Sequence, residues 1–174
     1  MIDVGAAEGD WTLLVSRYHK AKKVLAIEPS KLAYDHLIRN IKLNKVKNVI
    51  PVLAAASDKK GYTKLYLENF SLSNLNTNKN EVKVKTDTLD NMCKIHKLAY
   101  VSLIKIDVEG SELKVLKGSS RILKTYKPRI IVETHSKNLK NEVINFLKRF
   151  DYKPIFIDDW MKKKGNLLSV IYFK

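Results

Sequence analysis

Short apolar runs alternate along this chain with stretches whose apolar positions recur every three or four residues. That rhythm predicts strands alternating with helices, and hence βαβ units around a parallel sheet. Ile2 to Val4 reads as a strand that enters a glycine-containing turn, followed by a helix from Trp11 to Tyr18. Val24-Leu25-Ala26-Ile27 is a compact run suited to a buried strand. Ser30 is placed to cap the next helix, whose Leu32, Leu37, Ile38, Ile41 and Leu43 suit a core-facing stripe. Val49 to Ala54 predicts a third strand. Tyr62–Leu67 and Glu81–Lys85 predict two more around an Asn- and Ser-rich loop, Asn69 to Asn80.

The rhythm then resumes with a helix over Thr88–His96, a strand over Val101–Ile106, a helix over Ser111–Leu123, a strand over Arg129–Val132 and a helix over Leu139–Phe150. Two terminal strands, Pro154–Ile157 and Leu167–Phe173, are joined by a polar turn carrying Lys162-Lys163-Lys164-Gly165 and must pair antiparallel. The expected fold is therefore α/β and Rossmann-like, a mostly parallel twisted sheet with helices on both faces and a C-terminal antiparallel hairpin. No repeat or boundary divides it, so residues 1–174 read as one domain.

Composition narrows the function classes. No apolar run reaches the roughly 18 residues of a membrane span. The N-terminus lacks the basic and apolar regions of a secretory signal, and the single cysteine, Cys93, excludes an internal disulfide and a cysteine-based zinc site. The chain reads as cytoplasmic. Its outlier is a net charge of +15, from 33 Lys and Arg against 18 Asp and Glu. Such charge suits a polyanionic partner. The basic residues are scattered in the sequence without interleaved aromatics, however, so a solvated Lys-rich surface is the preferred expectation and a nucleic-acid partner is not favoured.

The sharpest motif is Asp3-Val4-Gly5-Ala6-Ala7-Glu8-Gly9-Asp10, between strand and helix. Glycines here let the backbone turn tightly and approach a ligand. The spacing is G-x-x-x-G rather than the G-x-G-x-x-G of a dinucleotide site, and Glu8 and Asp10 stand where a phosphate would be repelled. A phosphate-free, cationic cofactor such as S-adenosylmethionine fits better. Asp3, Gly5, Ala7 and Gly9 are the candidate loop contacts. Glu28 closes the second strand, at a spacing that suits an acid accepting from both ribose hydroxyls. Ala54-Ala55-Ala56 can let an adenine lie flat beside Ser57, and Asp58 can accept from its exocyclic amine or be a turn residue.

These segments, together with Thr86-Asp87-Thr88-Leu89-Asp90, Lys105-Ile106-Asp107-Val108-Glu109-Gly110-Ser111-Glu112, Val115-Leu116-Lys117-Gly118 and Ile131-Val132-Glu133, are similar to the FkbM methyltransferase family over roughly residues 1–136. The resemblance implies S-adenosylmethionine as cofactor and O-methylation of a hydroxyl, on a sugar, glycan or small metabolite. Members of that family usually carry a segment upstream of the first strand; here Met1 directly precedes it.

An alcohol needs a base to act as a nucleophile near neutral pH, and ligands of open α/β sheets sit beyond the C-terminal strand ends. Two such ends carry candidates: Asp107 and Glu109 on one, Glu133 and His135 on the other. Asp107 is expected to help hold the methionine end of the cofactor, Glu109 or His135 to take the proton, and Glu133 to orient the substrate or His135. Glu112 reads instead as a dipole partner in the first turn of the next helix. Carboxylates with an imidazole can hold Mg²⁺ or Mn²⁺, but their spacing demands no metal and none is expected. His19, His36 and His96 read as satisfied or surface histidines, Trp11 and Tyr34 as packing residues. Trp160 and Met161 read as pocket cover or exposed turn.

Two other readings stand beside this one. Ile38-Arg39-Asn40-Ile41-Lys42-Leu43-Asn44 is similar to the second helix of archaeal tRNA guanine methyltransferases, and the charge suits RNA. Against this, the fourth strand is followed by Asp107-Val108-Glu109-Gly110 rather than an Asn-Pro-Pro-Tyr type motif. A non-catalytic binding module of the same fold is the remaining alternative. A nicotinamide oxidoreductase is disfavoured by the glycine spacing.

Overall fold

Five strands lie parallel at the centre of the molecule. They are β1 (Ile2–Val4), β2 (Val24–Glu28), β3 (Val49–Leu53), β7 (Leu103–Ile106) and β8 (Arg129–Thr134). The hairpin of β9 (Pro154–Met161) and β10 (Leu167–Phe173) completes a seven-stranded sheet in the order β3-β2-β1-β7-β8-β10-β9, with β10 antiparallel to both neighbours. A smaller sheet has the order β4-β6-β5, from β4 (Ala55–Ala56), β5 (Gly61–Leu67) and β6 (Asn80–Asp87). This computed structural model describes residues 1–18, 21–67, 80–161 and 167–174. The readings on His19, on loop positions 69–79, on the Lys162–Gly165 turn and on the side chains of Trp160 and Met161 lie outside them. No helix among the described residues is long and apolar enough to cross a membrane.

The two strands β1 and β2 are covered on both faces, whereas β7 and β8 alternate between buried and more exposed positions. All five residues of β2 are buried, with Leu25 and Ile27 in the main core and Ala26 facing α2 (Lys31–Leu43) on the other side. Alternation along the strand sorts these side chains. The main core continues through Ile104 and Ile106, Ile130 and Val132, and Ile171 and Phe173. It is covered by α3 (Leu89–Ile95), α4 (Glu112–Lys117), α5 (Ser120–Tyr126) and α6 (Lys137–Lys148). Helix α1 (Asp10–Arg17) contacts β2, as does α2. Ser30, Thr88 and Ser136 cap α2, α3 and α6 by accepting from Ala33, Asn91 and Leu139 N–H groups.

Two expectations change. The core-facing stripe of α2 is buried Leu37 with half-buried Tyr34 and Ile41; Leu32 and Leu43 face solvent, being 68% and 67% exposed. They flank the helix outside the arc that meets Ala6 and Ala26. The single helix expected over Ser111–Leu123 is broken at Gly118-Ser119 into α4 and α5. The break lets the backbone pass close to the Ala55–Ser57 segment: a Cβ on Gly118 would stand 2.0 Å from the Ser57 carbonyl oxygen. Asp90 then caps the new helix from α3, accepting from Arg121 N at 2.9 Å and Ile122 N at 3.0 Å.

Candidate functional site

The strand order reverses between β1 and β7, the place where an open α/β sheet leaves a crevice beyond its strand ends. A cavity of about 260 Å³ lies there, lined by Gly5, Glu28 and Pro29, the Ala54–Ser57 segment and Asp107, Val108 and Glu109. Thr63, Leu65, Val84 and Thr86 of the smaller sheet also line it, so the β5–β6 hairpin forms one of its walls. Gly5, Glu28, Ser57, Asp107 and Glu109, at or just beyond the ends of β1, β2, β4 and β7, thus converge, although they are spread over about a hundred residues of chain.

The glycine loop is held rigidly. Gly5 and Ala6 N–H groups both donate to the Ile27 carbonyl at 3.0 Å. Gly5 has φ +78°, and a Cβ on it would stand 1.8 Å from the Asp107 carbonyl oxygen, so glycine is required for β1 to lie against the β7 end. Glu28 is buried and bridges two segments: its Oε2 accepts from Ala7 N at 2.9 Å, its Oε1 from Ser30 N at 2.8 Å. Burial raises its pKa, opposed by those two N–H groups. Each carboxylate oxygen can accept a further bond, so Glu28 remains fit to receive ribose hydroxyls at the cavity wall. Glu8 is turned away toward α2, where Oε1 meets His36 Nδ1 at 3.0 Å and its carbonyl accepts from Asn40.

Asp3 is fully buried and contributes no surface to the cavity; Thr12 Oγ1 donates to its Oδ2 at 2.5 Å. Burial pushes its pKa up to about 6, resisted by the Lys105 ammonium and the Thr12 hydroxyl. The sheet register pairs Asp3 with Lys105, so Nζ stands 3.7 Å from Asp3 Oδ1, 3.3 Å from Asp107 Oδ2 and 3.4 Å from the Gly5 carbonyl. Lys105 is a site residue that sequence reasoning passed over. The signal was its two-residue spacing from Asp107, which puts both on one sheet face. Ser57 lines the cavity; the neighbouring Asp58 is exposed and accepts from the Ser57 hydroxyl at 3.1 Å. The left-handed Gly9 (φ +98°) is the cap residue of α1, packed against Leu37 rather than facing the cavity.

Beside the cavity, the tips of β7 and β8 bring Asp107, Glu109, Glu133 and His135 together. Glu109 Oε2 lies 3.2 Å from His135 Nε2, and Glu133 Oε1 lies 3.7 Å from the same nitrogen. Glu109 occupies the left-handed region, φ +51°, in the turn that carries it over the histidine. Glu112 does sit in the first turn of α4, but it is also fully buried. Its Oε1 accepts from Gly110 N at 3.0 Å and lies 3.2 Å from His135 Nδ1. Its place in the site was hidden because a first-turn acid has an ordinary helical explanation.

A family model of the FkbM methyltransferase domain matches residues 3–165, which include the G-x-x-x-G loop, the acid-tipped β2 and the tips of β7 and β8. The chain belongs to the FkbM methyltransferase family. An FkbM methyltransferase from Methylobacillus flagellatus superposes with a TM-score of 0.71 at 18% identity, covering 99% of this chain and 43% of that one. Methanocaldococcus jannaschii TYW2, solved in complex with AdoMet, superposes with a TM-score of 0.55 at 20% identity over 99% of this chain and 67% of that one. A segment of 58 residues, 33% of this chain, is 47% identical to 23% of the M. jannaschii tRNA(Phe) (4-demethylwyosine(37)-C(7)) aminocarboxypropyltransferase. The chain matches between 23% and 65% of the length of its curated relatives. The fold expected from the sequence agrees with all of these. So does the expectation of S-adenosylmethionine as cofactor, through the methyltransferase family.

The chemistry of the lining fits that group. Its carboxylates, Glu28, Asp107 and Glu109, suit a ligand with a ribose and positive charge, while the Ala54–Ala56 wall leaves room for a flat ring. The outer face of the β5–β6 hairpin carries exposed Tyr62, Lys64 and Tyr66 beside Glu81, Lys83 and Lys85, with Lys83 Nζ 4.5 Å from the Tyr62 ring centroid and Lys64 paired with Glu81 at 2.9 Å. Strand alternation sets Tyr62, Lys64 and Tyr66 on one face, and strand pairing adds Lys83 and Lys85 to it.

Proposed function

We propose that this chain is an S-adenosylmethionine-dependent O-methyltransferase acting on a hydroxyl of a sugar, glycan or small metabolite. The observation that carries the reading is the imidazole of His135 set among Glu109, Glu112 and Glu133 beside Asp107 at the cavity edge. Glu28 and the Ala54–Ser57 segment would hold the nucleoside, and Asp107 with the Gly5 loop the methionine end. The cofactor supplies an electrophilic methyl group on a sulfonium.

What remains for the chain's own residues is to position a hydroxyl in line and to take its proton. Glu112 holds Nδ1 of His135, which directs Nε2 toward the strand tips. A proton arriving at Nε2 is stabilised by Glu109 and Glu133, and the exposed Glu109 can pass it to solvent. A second reading, RNA as acceptor, is favoured by the Tyr62–Lys64–Tyr66 face, since aromatic rings that stack bases and cations that meet phosphates are what single-stranded nucleic acid needs.

Calorimetry with S-adenosylhomocysteine tests the cofactor assignment. Saturable binding is expected, weakened about tenfold to a hundredfold in Glu28→Ala, which removes hydrogen bonds to a charged acceptor. No binding by the folded chain would sink the assignment. Transfer of a labelled methyl group to glycans but not RNA would separate the two acceptors.

A further inference from the structure

Four carboxylates gather around one imidazole at the β7 and β8 tips. We propose that Asp107, Glu133 and His135 form a site for a first-row divalent cation, with Glu112 orienting the histidine. The three side chains each offer a donor atom, and those atoms lie within 4.8 Å of one another. The centre of a triangle with such sides is about 2.8 Å from each corner, so small rotamer changes reach the roughly 2.0–2.2 Å of first-row metal bonds.

The histidine carries the second part of the case. Glu112 is fully buried and anchored on the Gly110 N–H, and its Oε1 meets His135 Nδ1 at 3.2 Å. An anionic acceptor fixed there favours a hydrogen on Nδ1 and turns Nε2 toward the strand tips. Nε2 is sealed from solvent and has no hydrogen-bond partner, although Glu109 and Glu133 oxygens stand 3.2 Å and 3.7 Å away. Nε2 facing these carboxylate oxygens calls for positive charge at the strand tips, supplied by a proton on the ring or by a cation between them. Carboxylate, imidazole and cation in series is the arrangement by which proteins orient metal-bound histidines. Lys105 meets Asp107 at Oδ2, on the Asp3 side of that carboxylate.

Two carboxylates and one imidazole favour Mn²⁺ or a similar ion over Ca²⁺, which takes oxygen donors throughout. Asp107 belongs to the cavity wall as well as to the cluster, so the ion would stand where an acceptor hydroxyl enters and would ease its ionisation. With Nε2 held on the ion, the proton would leave through the exposed Glu109 instead of through His135. This role rests on the methyltransferase reading. Binding of the ion does not.

The test is a titration of the chelator-treated full chain with MnCl₂, following free Mn²⁺ by its electron paramagnetic resonance signal. Retention of one Mn²⁺ per chain is expected, abolished in Asp107→Asn and His135→Gln and weakened about tenfold or more in Glu112→Gln, with circular dichroism unchanged. If His135→Gln does not fold, Glu133→Gln replaces it with the same expected loss. No retention by the wild type, or equal retention by the folded variants, overturns the site. S-Adenosylhomocysteine calorimetry on the same samples separates the two ideas. Nucleoside binding without Mn²⁺ retention removes the metal alone, and Mn²⁺ retention without nucleoside binding removes the cofactor reading alone.

Discussion

Replacing Asp3 by Asn isolates the energetic cost of keeping a carboxylate under the glycine loop. Asp3 is fully buried, its pKa raised by burial to about 6 from the ordinary 3.8. A raised acid pKa means the folded chain holds the proton more tightly than the unfolded chain. Below about pH 4 both states are protonated, and above about pH 6 both are ionised. Between those limits the unfolded state alone has lost its proton, so stability falls as pH rises through the window. The fall for a shift of this size is about 3 kcal/mol, as an upper value. Asn cannot titrate but can still accept from Thr12, so Asp3→Asn removes that fall. Urea unfolding at pH 4, 5, 6 and 7 provides the measurement, and the difference between variant and wild type cancels the other titrating groups. The variant should gain on the wild type by up to about 3 kcal/mol between pH 4 and pH 7. Parallel stability curves would refute the reasoning and mean that Lys105 neutralises Asp3 fully.

Other consequences follow from the same contacts. Gly5→Ala sets a Cβ against the Asp107 carbonyl in a left-handed backbone; thermal unfolding should show a loss of about 3 kcal/mol or more, and calorimetry a loss of S-adenosylhomocysteine binding. Asp90→Ala removes the cap from α5 and should cost about 1–2 kcal/mol in urea unfolding, with nucleoside binding retained. Cys93 is buried, with its thiol pKa pushed up to about 11 chiefly by burial. A thiol-reactive dye should therefore label it at the rate of unfolding, and fast labelling in native buffer would contradict its placement.

Local pattern sufficed wherever an element's identity depends on residues close in sequence. The runs Val24–Ile27 and Arg129–Val132, the cap at Ser30 and the glycine turn after Val4 formed as their side chains dictate. Helix packing was less legible. Leu32 and Leu43 have the apolar character of a core stripe, but which arc of α2 is covered depends on the position of Ala6 and Ala26. The break between α4 and α5 was likewise invisible, because it answers to the Ser57 carbonyl about sixty residues away.

The sequence by itself determined the alternation of the main-sheet strands with helices, the G-x-x-x-G loop, the acid at the end of β2 and the family these features match. Each depends on spacing within one βαβ unit, and local periodicity encodes that directly. The packing of the folded chain decided the pairing of Asp3 with Lys105, the union of Asp107 with Glu133 and His135, the burial of Glu112 against the imidazole and the approach of Lys83 to Tyr62 across β5–β6. Those contacts arise from strand register and strand order. Their donors and acceptors lie up to about a hundred residues apart, where no local pattern relates one to another.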